Sequence, residues 1–226
     1  MQEPPEVKKP ILSRSRMPLL VASSMTFGII PIFSQLLLGS PIDSRISILF
    51  NQCMIMGTAL LFLLGMVIVI GSLLALLFKS IRHKALKTLL ISLSSAVFMF
   101  GGVLFSSIIR TKQFEDLAER SRPLIAAISR FEKEHGRPPA KLDGLVPKYI
   151  SEVPNTGMGA YPKYEYNAST AEPGPDHLAA SWELSVPCSV GFLNWDIFYY
   201  LPTEKYPEHD YGGFIQPIKN WAYVHE

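Results

Sequence analysis

The stretch 88–136 constrains this chain more than any other. Residues 89–109 form an apolar run long enough to cross the hydrocarbon core of a bilayer, and the chain continues through Arg110 and Lys112 with no glycine or proline to stop it. From Gln113 onward Phe114, Leu117, Leu124, Ile125, Ile128 and Phe131 recur at helical offsets, separated by Glu115, Asp116, Glu119, Arg120, Arg130 and Lys133. His135, Gly136 and then Pro138 and Pro139 mark the stop. One continuous rod is therefore expected to leave a membrane and become the spine of a water-soluble domain. Pro123 lacks an N–H and crowds the turn before it, so it is expected to kink or restart that rod.

Two more apolar runs come first. Residues 17–39 hold no charged side chain and should form a membrane helix kinked at Pro31. A secretory signal peptide competes for this segment, because basic residues precede it, but the run is long and no small-x-small site follows. Residues 46–78 are apolar apart from Asn51 and Gln52 and exceed one perpendicular crossing, which implies tilt or interfacial first turns. With 88–109 this makes three spans. Residues 1–16 read as a flexible basic arm carrying Lys8, Lys9, Arg14 and Arg16. Four Lys/Arg lie in that arm and four in 79–87, against Arg45 alone in the linker 39–45. Short basic segments stay in the cytoplasm. Residues 110–226 are then extracytoplasmic, periplasmic in a Gram-negative bacterium, and the chain is a multi-pass protein of the bacterial inner (plasma) membrane.

The spans carry no ionisable group, which argues against transport or proton conduction. Ser92, Ser94, Ser95, Ser106 and Ser107 beside Gly101 and Gly102 suit close helix packing, within the bundle or against a partner subunit. Residues 110–226 carry 12 Lys/Arg and 16 Asp/Glu, a net charge of −4, with no basic stripe, so nucleic acid is not an expected partner. Cys53 lies in an apolar run and Cys188 in the soluble half, and the two are not expected to bridge.

After the rod come four expected strands. Residues 160–167 place Tyr164 and Tyr166 on one side, and 181–186 alternate Trp182, Leu184 and Val186 with Ser181, Glu183 and Ser185. Residues 195–201 are an aromatic run, and 221–224 a short closing strand. Gly, Pro, Asn and Asp in 172–176 and 202–213 read as loops. A long helix followed by short strands gives an α+β membrane protein, its third transmembrane helix continuous with an amphipathic helix packed on a small antiparallel sheet.

The segment running from Leu124 to Phe131, through His135-Gly136-Arg137-Pro138-Pro139, then Leu142-Asp143-Gly144-Leu145-Val146-Pro147-Lys148-Tyr149-Ile150 and Pro154, resembles the type II secretion major pseudopilin and related type IV pilin-like globular domains. The resemblance covers about Ser106 to Tyr166 and implies a membrane helix extended into a spine, a Gly-Arg-x-Pro stop and a sheet. The prepilin cleavage motif of that family is absent and two extra spans precede the helix, which weakens the idea of a filament subunit. The family's Asp-Pro-Trp-Gly turn is replaced by Pro154-Asn155-Thr156-Gly157-Met158-Gly159.

No catalytic constellation, cofactor motif or metal-ligand spacing is visible. His83, His135, His177, His209 and His225 are dispersed, and no His-x-x-x-His, Cys-x-x-Cys or Gly-x-Ser-x-Gly occurs in the soluble half. Glu208-His209-Asp210 reads as a solvated loop rather than a divalent-ion site, and the sequon Asn167-Ala168-Ser169 as incidental. Aromatic residues crowd the last third. Most should be core; the remainder should form an exposed patch around the 206–214 loop, with Tyr206, Tyr211, Phe214, Trp195 and Trp221 docking a protein partner or a glycan. The expectation is a non-enzymatic inner-membrane protein presenting a pseudopilin-like domain for protein interaction or envelope assembly. The alternatives are an accessory subunit of a larger membrane complex and a cell-envelope enzyme acting on lipid or glycan.

Overall fold

A computed structural model describes residues 17–42, 44–168, 180–188 and 195–225, with side chains from Met25 onward except that of Ser44. The basic arm 1–16, the 172–176 turn, His177 and the sequon's Ser169 lie outside the described residues. The chain divides into two compact units, one holding the residues up to Phe33 with Cys53–Ser106, the other Ser34–Gln52 with Ser107–Glu226.

Three α-helices form: α1 (Met17–Leu38), α2 (Ser44–Ala75) and α3 (Arg82–His135). The 54 residues of α3 make a rod of roughly 80 Å at 1.5 Å per residue. It starts before the expected Thr88, so Arg82, Lys84 and Lys87 lie on its first turns instead of in a loop. Pro123 does not restart it; the helix runs through, and the long flanking stretches outweigh the bond that Pro123 cannot make. It ends as the sequence indicates: Gly136 adopts φ +70°, open to glycine at little cost, and its N–H donates to the Glu132 carbonyl at 2.8 Å.

In the first unit α2 and α3 are long and apolar enough to cross a membrane, and their most apolar windows are almost entirely exposed on the protein surface. A core helix of a soluble domain would be buried there. The apolar part of α1 with described side chains runs from Met25 to Leu38. The backbones of α1 and α3 touch: a Cβ on Gly102 would land on the Gly28 carbonyl, and one on Gly28 would stand 2.6 Å from the Phe98 carbonyl oxygen. Gly101 meets nothing within 4 Å.

The second unit is built on one six-stranded antiparallel sheet of β1 (Glu165–Ala168), β2 (Trp182–Pro187), β3 (Ile197–Tyr200), β4 (His209–Asp210), β5 (Gly213–Ile218) and β6 (Trp221–His225), in the order β1-β2-β3-β6-β5-β4. The registers Leu184↔Tyr200 and Phe198↔Tyr223 gather Trp182, Leu184, Val186, Phe198, Tyr200, Trp221 and Tyr223 into one core. Onto it α3 lays Phe114, Leu117, Leu124 and Ile128, all buried, with Ile125 and Phe131 packed at the margin. The Phe114 ring lies 4.9 Å from both Phe198 and Tyr223. β2 alternates buried and half-buried positions, as its period of two demands. β1 is shorter than expected, and β4 and β5 fall where loop and unassigned sequence were read. Pro217 sits inside β5 because β4 pairs only with Phe214 and Gly213, leaving the β5 edge open at Pro217.

The α1–α2 turn also belongs to this unit. Leu38 is 4 % exposed within the core cluster, the Gly159 N–H donates to the Ser40 carbonyl at 2.7 Å, and the Gln35 amide donates to Gln113 Oε1 at 2.8 Å. The other face of the sheet carries a smaller cluster of Tyr199, Leu201, Ala222 and Val224, with Tyr206 and Ile215 against it. The sheet curls, so that the turn after β4 reaches over this face: the Tyr211 hydroxyl donates to Glu183 at 2.9 Å and the Tyr199 hydroxyl to Asp210 Oδ2 at 2.7 Å.

Candidate functional site

Polar chemistry concentrates at one end of the sheet. Because Ile197 pairs with Val224, Asp196 stands beside His225. Asp196 is buried, the Tyr223 hydroxyl donates to its Oδ2 at 2.7 Å, and His225 Nδ1 lies 4.0 Å from the same oxygen. His225 Nε2 is 2.8 Å from Gln216 Oε1. The Cys188 N–H donates to the Asp196 carbonyl at 2.7 Å, and the Arg110 guanidinium lies over the Tyr223 ring at 4.9 Å. Tyr223 and His225 of β6 and Cys188 just beyond β2 thus meet around Asp196, the residue before β3, with Gln216 of β5 behind His225 and Arg110 of α3 over Tyr223.

Burial is the largest electrostatic influence on the Cys188, Tyr223, Tyr161 and His225 side chains. Burial pushes the Cys188 thiol well above its ordinary value, and Asp196 adds to the rise. Burial likewise raises the Tyr223 and Tyr161 hydroxyls. His225 is lowered by burial and by Arg110, with Asp196 opposing. A thiolate nucleophile needs the reverse shift. The Cys188 thiol donates to the Val186 carbonyl at 3.1 Å, the contact of a structural cysteine. Among the described residues no three of His, Cys, Asp and Glu gather to hold a metal ion. Asp210, on the acidic loop, accepts from the Tyr199 hydroxyl and from the Tyr211 N–H.

The five expected interaction residues do not form one patch. Trp221 is a correction: it is fully buried, stacked on Phe198 at 4.7 Å beneath α3, because β6 is a central strand whose alternate side chains face the helix. Tyr206 is half-buried and closes the second face, its hydroxyl donating to the Asn220 carbonyl at 2.7 Å. Tyr211 is 38 % exposed, with its ring 5.6 Å from Tyr199. Trp195 and Phe214 are the open ones, 59 % and 70 % exposed, at the sheet end just described. Phe214 pairs with His225 in register and its ring lies 4.8 Å from that of His209.

The Asp196 network was missed in the sequence. Its faint signal is an acid opening an aromatic strand (Trp195-Asp196-Ile197) and the alternation Tyr223-x-His225, which puts both side chains on one face.

In the first unit a groove of about 390 Å³ lies among α1, α2 and α3, lined by residues such as Phe27, Leu61, Gly65, Ile68, Ser92 and Ala96. Compared with protein-family models, with curated proteins and with solved structures, the chain matches none.

Proposed function

We propose that this chain is a non-enzymatic, multi-pass protein of a bacterial inner membrane that holds a pseudopilin-like α+β domain on the extracytoplasmic side for protein interaction or envelope assembly. The observation that carries this is α3, one helix whose residues 89–109 are uncharged while residues 114–131 cover a sheet. The exposed apolar surfaces of α2 and α3 support two spans, and the uncharged length of α1 supports a third. One feature supports the orientation and a second the number of crossings between turn and domain. Basic residues crowd 79–87, and the α1–α2 turn, which bonds to Gly159, must lie on the same side of a bilayer as the domain. The pseudopilin-like character is supported by the helix continued into a spine, the Gly136 stop and the sheet beyond it. Filament assembly is no part of the proposal, because two helices precede α3. A protein partner would engage the aromatic C-terminal region, where Tyr211 is 38 % exposed, or the small-residue face of α3.

A second reading, an accessory subunit of a larger membrane complex, is favoured by the apolar groove of about 390 Å³ that Ser92 and Ser95 help to line. An alkaline phosphatase fusion at Glu226 is expected to be active; an inactive fusion, with a cytoplasmic reporter active at the same point, overturns the orientation. Affinity purification in mild detergent separates the two readings. Periplasmic proteins recovered with the chain favour presentation, other membrane spans favour the subunit, and a lone chain with hydrolytic activity would sink both.

A further inference from the structure

Among the described residues of 110–226, Trp195 and Phe214 are the two large apolar side chains more than half exposed. Every other tryptophan is in the core. Their place in the fold singles them out. Arg110 is the first charged residue after the run 89–109, and its guanidinium lies over Tyr223 at 4.9 Å. Two residues on, His225 pairs with Phe214, and its ring faces Asp196, the neighbour of Trp195. Both open rings therefore sit at the sheet end where the uncharged part of α3 stops. At the other end Trp182 Nε1 donates to Glu132 at 3.0 Å, 22 residues along α3 from Arg110 and so roughly 33 Å away.

We propose that Trp195 and Phe214 seat in the headgroup–acyl boundary of the bilayer from which α3 emerges, so that this end of the sheet rests on lipid. The proposal rests on α3 crossing a membrane. Aromatic rings favour that layer because their bodies are apolar while it still offers water to a polar tip, and the indole of Trp195 has both parts. Phe214 brings no polar atom of its own, and the ring of His209 meets it edge-on at 4.8 Å. Resting the domain on lipid removes apolar surface from water.

The test uses full-length protein reconstituted into phosphatidylcholine liposomes, with and without phosphatidylcholine brominated near the headgroup end of its acyl chains. Trp195 is one of three tryptophans, the other two being buried in the domain core, so its emission is the difference between the parent and Trp195→Phe. The expected result is a blue-shifted Trp195 emission that the brominated lipid largely quenches, loss of that quenching in Trp195→Phe, and a new quenched emission in Phe214→Trp. Water-like, unquenched emission from Trp195 and from Phe214→Trp, in protein that floats with the liposomes, overturns the proposal and leaves the membrane reading intact. Shielding of Trp195 from both brominated lipid and aqueous iodide, as a second copy of the chain would produce, also overturns it. Protein that fails to float overturns both.

Discussion

Gly159 shows how much one absent side chain can decide. A Cβ there would land on the Ile42 carbonyl oxygen and stand 2.7 Å from the Ser40 carbonyl oxygen, the acceptor of the Gly159 N–H. Both obstacles are backbone, so no rotamer change relieves them. Gly159→Ala should push the α1–α2 turn off the domain at a cost of about 1–3 kcal/mol, read as a lower Tm of the full-length protein in detergent; Gly144→Ala, with nothing within 4 Å, should change Tm little. His225 makes a second residue-level prediction. Its folded-state pKa lies below the ordinary 6.5, through burial and Arg110. Between that lowered value and 6.5 the unfolded chain binds more protons, so stability is full above pH 6.5 and falls on acidification through this window. His225→Phe should flatten that slope in urea unfolding followed by near-ultraviolet circular dichroism. An unchanged slope would place its origin elsewhere.

Helices and strands differ in how far the sequence foretells them. The spine of α3 was legible because Phe114, Leu117, Leu124 and Ile128 repeat at helical spacing and Gly136 closes the pattern; all four are buried. β2 was legible through its alternation. β4 has two residues, too few for any period, and β5 contains Pro217, which argues for a loop until the open edge is known. β3 and β6 bury both faces, so the aromatic and aliphatic residues along them carry no mark of which ring is open, and Trp221 was misassigned for that reason. Nothing local in 39–45 announces that the residue before it, Leu38, lies in the domain core. The small residues of α3 were legible as a class but not individually. Gly102 meets the Gly28 backbone, whereas Gly101 faces open space. Gly102→Ala should separate α1 from α3 and lower Tm by an amount matching about 1–3 kcal/mol; Gly101→Ala should be neutral or slightly stabilising through helix propensity. Equal effects of the two would refute this packing.

For the whole molecule the question is what fixes the domain to its helices. Among the described residues of the second unit the domain is held by α3, through covalent continuity, and by the α1–α2 turn and its flanks, through the Gln35–Gln113 pair, the Ser40–Gly159 hydrogen bond, buried Leu38 and Ile48 against the core. A helix turns about 100° and rises 1.5 Å with each added residue. One alanine inserted after Ile109 should therefore swing Gln113 away from Gln35, while the helix itself persists. With Gln35→Cys and Gln113→Cys, a short bis-maleimide should cross-link the parent efficiently and the insertion variant poorly. Seven inserted residues restore the direction to within about 20° but lift Gln113 by roughly 10 Å, so the cross-link should stay lost. Recovery of the cross-link with seven residues would mean that direction alone matters and that the turn follows the domain upward. Persistence with one residue would mean that the turn is docked too loosely to hold the domain, leaving α3 to do so alone.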